Sequence, residues 1–176
     1  DATNTTFEAP KNLPSLVNYG ISFTTQMDYF KWWSATNFVN IFRNEYDLQD
    51  SKNKQSSFSA NTQNSFKIAK GFGAELNAFY NSVSVYGIMT EKSYWAVSAA
   101  FQKSVLNDKA SIKLAVNDIF QTNNFRNDTR YQNINMYSRI WIDSRRAILS
   151  FTYRFGKQFE SRARKTGSED IQNRIK

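Results

Sequence analysis

Along residues 145–156, apolar and polar side chains alternate one by one. Ala147, Leu149, Phe151, Tyr153 and Phe155 fall on one side of an extended chain, and Arg146, Ser150, Thr152 and Arg154 on the other, with Ile148 the apolar exception. A period of two predicts a β-strand with one apolar and one polar face. A run of about nine residues closing on aromatics has the span and dressing of a tilted strand that crosses a bilayer. A half-buried strand of a soluble sandwich alternates in the same way, so the rest of the chain has to separate the two.

The pattern recurs along the chain and predicts seven strands, at residues 15–28, 32–46, 56–68, 72–86, 94–105, 110–120 and 145–156. In the first, Val17, Tyr19, Ile21, Phe23 and Met27 alternate with Asn18, Gly20, Ser22, Thr24 and Gln26. The second is less regular, with Ala35, Val39 and Ile41 on one face and Thr36, Phe38, Asn40 and Phe42 on the other. In the fourth the parity slips near Asn81, after which Val83 and Val85 take over, as a β-bulge would produce. The fifth sets Val97 against Ser98, and the sixth sets Leu114 and Val116 against Ser111 and Lys113. Residues 47–55, 87–93 and 121–144 read as loops, and residues 1–14, which hold both prolines, as the end of an extracellular loop. Residues 157–176 are charged without apolar periodicity and read as a flexible periplasmic tail.

In order, the connections are short, long, short, medium, short and long. Short turns on one edge and long loops on the other belong to outer-membrane barrels, whose short turns face the periplasm. Aromatics gather at strand ends: Tyr29, Phe30, Trp32 and Trp33 at one edge, and Tyr46, Tyr86, Tyr94, Trp95 and Phe120 at the other. Amphipathic rings favour the two headgroup levels. Seven is an odd number, whereas single-chain bacterial barrels have even numbers, and bare sheet edges are not tolerated in lipid. The expectation is therefore a C-terminal portion of something larger.

Composition narrows the chemistry. The chain has 176 residues, 16% of them aromatic, yet its mean hydropathy is −0.61. High aromatic content with low mean hydropathy fits alternation around a polar lumen. No apolar run reaches the length of a transmembrane helix. The start, Asp1-Ala-Thr-Asn-Thr-Thr, has neither the basic nor the apolar part of a signal peptide, so the signal has been removed or the chain is internal to a longer one. Cys and His are absent, which excludes thiol chemistry, disulfides, His-dependent triads and ordinary zinc sites. Gly71-Phe72-Gly73 lacks the Gly-Lys-Ser/Thr of a phosphate loop. The expectation is that the protein is not an enzyme and carries no metal or cofactor. The net charge of +8 comes without a basic helix or an aromatic-basic platform, so no nucleic-acid partner is expected.

Several stretches together resemble the C-terminal end of TonB-dependent outer-membrane receptors, and more closely the Bacteroidetes-type outer-membrane β-barrel family. They are Lys31-Trp32-Trp33-Ser34, Lys70-Gly71-Phe72, Phe101-Gln102-Lys103-Ser104, Val116-Asn117-Asp118-Ile119-Phe120 and Ser150-Phe151-Thr152-Tyr153-Arg154-Phe155-Gly156. Arg164-Lys165-Thr166-Gly167, Asp170 and Gln172-Asn173-Arg174 are similar to that family's short extension past the last strand. The resemblance implies an all-β antiparallel transmembrane barrel of about 22 strands with a plugged lumen, of which these are the last seven. It implies energised uptake of a scarce nutrient. Its implied partners are outer-membrane lipid, TonB through an N-terminal part, the barrel-assembly machinery and a surface lipoprotein. Tyr153 and Phe155 would be the aromatics of the assembly signal, although here a tail follows them. A barrel with a structural or secretion-associated role and a soluble β-sandwich binding module are the competing functions.

Residues 121–144 are too long for a plain connection, and long ordered loops are usually functional. Arg130, Tyr131, Tyr137 and Arg139 are the candidate substrate-binding residues, because rings beside guanidinium donors suit an anionic or hydrogen-bonding ligand. If residues 133–143 prolong the last strand outward, alternation puts Tyr131, Tyr137 and Arg139 on one face and Arg130 on the other.

Overall fold

The computed structural model describes residues 15–48 and 51–155. The expected loop end at 1–14 and the expected tail at 157–176 lie outside the described residues. Eleven strands follow one another: β1 (Ser15–Phe30), β2 (Trp33–Asp47), β3 (Lys52–Ala69), β4 (Phe72–Asn81), β5 (Ser84–Tyr86), β6 (Met89–Glu91), β7 (Tyr94–Val105), β8 (Ala110–Asn117), β9 (Phe125–Tyr131), β10 (Ile134–Ile140) and β11 (Arg146–Tyr153). Seven of them form one antiparallel sheet in the order β1-β2-β3-β4-β7-β8-β11, which is the predicted set in the predicted order. The other four make a small sheet, β10-β9-β6-β5, built from the segments read as loops and the end of the fourth predicted strand.

Register lines the apolar positions up across the whole sheet. One row runs Phe23, Val39, Ala60, Tyr80 and Trp95. Another runs Trp33, Phe66, Ala74, Phe101, Leu114 and Leu149. This second row leaves β2 at its first residue but meets β11 four residues before that strand ends (153 − 149 = 4). Stagger of that kind accumulates when strands tilt across a barrel wall.

These apolar side chains stay exposed: Phe23 is 64% accessible, Phe101 62% and Leu149 74%. Among the described residues no large side chain is fully buried. A continuous exposed apolar face of this extent marks a surface that meets something other than water.

The two faces treat their amides differently. On the apolar face, Trp33 Nε1 donates to Asn64 Oδ1 at 3.0 Å, Asn64 Nδ2 to Thr62 Oγ1 at 2.9 Å, Thr62 Oγ1 to Asn37 Oδ1 at 2.7 Å and Asn37 Nδ2 to Thr25 Oγ1 at 3.5 Å. These polar groups satisfy one another, as a hydrocarbon surrounding demands. On the opposite face Asn18 Nδ2 donates to Asn44 Oδ1 and Ser22 Oγ to Asn40 Oδ1 at 2.9 Å, while Asn61, Gln63 and Asn77 make no side-chain hydrogen bond among the described residues. That face has a polar medium to bond with.

Three expectations change. The fourth strand ends at Asn81 and carries no bulge; the parity slip marks the point where the chain leaves the sheet. Ser57 Oγ takes Val83 O at 2.7 Å, Asn44 Nδ2 takes Val85 O at 3.1 Å, and Val85 is buried beside Tyr46 and Leu48. Val85 therefore packs above the wall instead of facing outward. The loop expected at 47–55 is shorter, because Asp47 pairs with Lys52 and Glu45 with Lys54 across the strands. Charge pairing extends the ladder where no apolar signal exists. The sixth strand ends at Asn117, because Asp118 has φ +42, a left-handed turn that a strand cannot hold.

At Gly20 a Cβ would lie 2.5 Å from Ile41 O and 2.8 Å from Phe42 Cα, so β1 and β2 meet there more closely than any side chain permits.

The facing is testable in the folded protein in lipid. Leu149→Arg should cost about 2–4 kcal/mol near the bilayer midplane, and Ser150→Arg far less. Equal costs by urea-dependent refolding into vesicles would show that the faces are misassigned.

Candidate functional site

The small sheet sits at the long-loop end of β2 and β3. Its anchor is an apolar cluster of Tyr46, Leu48 and Val85, against which Ile88 and Tyr131 pack. Asn53 Nδ2 donates to Gly87 O at 2.8 Å, and Tyr131 OH donates to Leu48 O at 3.0 Å. Lys92 Nζ meets Asp128 Oδ2 at 2.5 Å and joins β6 to β9, the central strand of the small sheet.

Residues 133–143 do not prolong β11. The chain turns at Gln132, whose φ is +51, and β10 pairs back on β9 with Ile134 opposite Tyr131. That hairpin changes the parity of everything after the turn. Asn135 faces Arg130, Tyr137 faces Asp128 and Arg139 faces Arg126, so Arg130, Tyr137 and Arg139 share one face and Tyr131 lies on the other. The expected grouping of Tyr131 with Tyr137 and Arg139 is thus corrected. Its premise was a single continuous strand.

Tyr131 is half-buried and holds the sheet to the wall, a packing role. Arg130, Tyr137 and Arg139 are exposed, and Tyr137 is 61% accessible. Arg139 Cζ lies 3.8 Å above the Trp141 ring, which orients the guanidinium. An open hollow of about 520 Å³ brings Arg130 and Tyr131 together with Ser51 and Asn135, and does not include Tyr137 or Arg139. Tyr153 and Phe155 stand at the short-turn end of the edge strand, with ring centroids 4.6 Å apart and Phe155 90% accessible.

Asp118 is the residue that sequence reasoning passed over as a mere part of a motif. It is buried, one residue past β8, and its carboxylate accepts from Thr122 N at 3.0 Å, Asn123 N at 3.1 Å and the Ser144 hydroxyl. It ties the start of the 121–144 segment to its end. Burial pushes this carboxyl up, but the hydrogen bonds from Ser144, Thr122 and Asn123 outweigh it and hold it below the ordinary value. A carboxyl depressed in the folded state adds stability above its unfolded pKa, and loses it as pH falls through the folded value.

The inner wall is as informative as the crown. On β1–β4 and β7, inward positions from Asn18, Asn44 and Gln55 down to Gln26, Gln63 and Ser98 carry no charge. Charges begin below that level. Lys113 Nζ lies 2.7 Å from Glu75, spanning the small Ala100 between them, with Asp28 and Lys67 on neighbouring strands. Half-exposed as it is, that pair adds at most about 1 kcal/mol. On the edge strand β11, Arg146 faces Asn117. Among the described residues no group of His, Cys, Asp and Glu could hold a metal ion.

Asp118→Asn should turn an amide NH2 toward the Thr122 and Asn123 N–H donors and loosen the loop by about 1–3 kcal/mol. Hydrogen exchange at Thr122 and Asn123 should speed up accordingly, and in the native protein the same amides should lose protection only on acidification below about pH 4. Unchanged exchange in the variant would leave Asp118 without an anchoring role.

No curated protein and no solved structure matches the chain. A family profile does, over residues 1–153, and it is described as an outer membrane protein beta-barrel family. The match covers the sheet, its crown and the alternating faces together. The chain belongs to the outer membrane protein β-barrel family, and its strands cross the outer membrane several times.

Proposed function

We propose that the chain forms part of the wall and mouth of a TonB-dependent importer that takes up a scarce nutrient. The observation that carries this reading is an ordered, cation-bearing crown above a polar inner wall. Arg130, Tyr137 and Arg139 share one exposed face of the β9–β10 hairpin, anchored through Tyr131 and Asp118. A mere connection has no need of such an anchored sheet. Among the described residues β1 and β11 are the edges of the sheet, and lipid cannot satisfy edge backbone groups. Further strands must pair with both, and a barrel of about 22 strands with a plugged lumen supplies them. The protein acts by binding and passage, without catalysis. TonB, the assembly machinery reading Tyr153 and Phe155, and a surface lipoprotein are its proposed partners.

Uptake of labelled compounds from the medium should vanish when TonB is disrupted. Tyr137→Ala and Arg139→Ala should each weaken ligand binding by about tenfold, roughly 1.4 kcal/mol, with folding intact. Uptake independent of TonB and affinity unmoved by both variants would favour a structural or secretion-associated barrel instead.

A further inference from the structure

The inner wall divides by charge along its height. Towards the short-turn end it carries Asp28, Lys67 and the Glu75–Lys113 pair. Towards the long-loop end, β1–β4 and β7 offer only amides, hydroxyls, small residues and rings. One inward row there reads Phe38, Asn61, Phe79, with Phe38 opposite Asn61 and Asn61 opposite Phe79. The two rings stand on β2 and β4, two strand spacings apart, which is about 9–10 Å. The amide of Asn61 lies between them. Just below is a depression of about 320 Å³ lined by Gln26, Gln63 and Asn77, with the carboxylates Asp28 and Glu75 on its lower side. The side chains of Asn61, Gln63 and Asn77 make no hydrogen bond among the described residues.

We infer that this stretch of wall is a binding track for an uncharged carbohydrate chain. The inference rests on the import reading and names its substrate class. A sugar hydroxyl both donates and accepts, and so does a carboxamide, whereas Lys and Arg only donate and ionised Asp and Glu only accept. The open amides of Asn61, Gln63 and Asn77 therefore match hydroxyl groups in any rotation. The C–H faces of a sugar ring are apolar and pack on aromatic rings, and Phe38, at 37% accessible, presents one. On β1–β4 and β7 an anionic ligand would meet no cation over this height, with Arg146 on the edge strand β11 level with its lowest row, and it would lose hydration there without a compensating partner. The guanidinium groups of the crown lie above the track. They can meet a ligand at the mouth, but the wall does not repeat their charge.

The test is calorimetry on the full-length protein in detergent micelles. Neutral gluco-, xylo-, manno- and galacto-oligosaccharides form one arm, oligogalacturonates the anionic arm and Ala-Gly peptides the third. A neutral oligosaccharide should bind. Phe79→Ala and Asn61→Asp should each weaken it by about tenfold or more, Phe79→Tyr should restore it, and thermal stability should stay level. Preference for the anionic or peptide arm, no binding in the neutral arm, or wall variants that lower stability while leaving affinity alone would overturn the inference. The last result would mean that the wall packs against another part of the protein. The import reading fails separately: neutral oligosaccharide binding without TonB-dependent uptake would sink import and leave the track standing, while TonB-dependent uptake of an anion would do the reverse.

Discussion

Hydrocarbon offers no partner to a backbone N–H or C=O, and the rest of this structure follows from that. Each of the seven wall strands pairs with the next, β1-β2-β3-β4-β7-β8-β11, because any gap would leave polar groups in lipid. Once the ladder is fixed, a period of two sends alternate side chains to opposite media. The same constraint explains the apolar face, where Asn37, Thr62 and Asn64 close their hydrogen bonds on one another and on Trp33 and Thr25. On the inner face Asn18 pairs with Asn44 and Ser22 with Asn40 near the long-loop end, while Asn61, Gln63 and Asn77 make no side-chain hydrogen bond among the described residues.

The wall was legible in the sequence because its signal is local. Each strand carries its own alternation, and Leu149, Leu114 and Phe101 fall into one row because the registers joining β7, β8 and β11 carry no shift. The crown was far less legible. Residues 125–140 hold Arg130, Tyr131, Tyr137 and Arg139 in a polar-aromatic stretch with no clean alternation. The turn that organises them is a single positive φ at Gln132, without Gly or Pro to announce it. One missed turn moved Tyr131 from the ligand-facing set to the packing set. Val85 was misplaced for a related reason. An apolar residue after a parity slip reads as bulged strand, and nothing local says that Tyr46 and Leu48 await it above the wall. Asp118 could have been noticed: Asp followed four residues later by Thr suits a side chain that caps a turn, but its tie to Ser144 spans the whole loop.

Wall and crown divide the chemistry between them. The crown carries fixed charge on a small sheet held by a few contacts, Tyr131 to Leu48, Asn53 to Gly87 and Asp118 to Ser144. The wall carries rings and neutral hydrogen-bonding groups towards the long loops, and the charged Asp28, Lys67, Glu75 and Lys113 towards the short turns. In outer-membrane barrels specificity can change through loops without touching the scaffold. Here Phe38, Asn61 and Phe79 project from strands, so loop rearrangement cannot move them.

Each wall strand faces lipid with one set of residues and water with the other. The chain has no native Cys, so single cysteines at Ile41, Leu114 and Leu149, and at Asn40, Lys113 and Ser150, can each carry a nitroxide spin label in the folded protein in bilayers. Power-saturation spectra should show the first three colliding with dissolved oxygen and shielded from a water-soluble nickel chelate, and the second three the reverse. Equal accessibility to both reagents within each neighbouring pair would contradict the account.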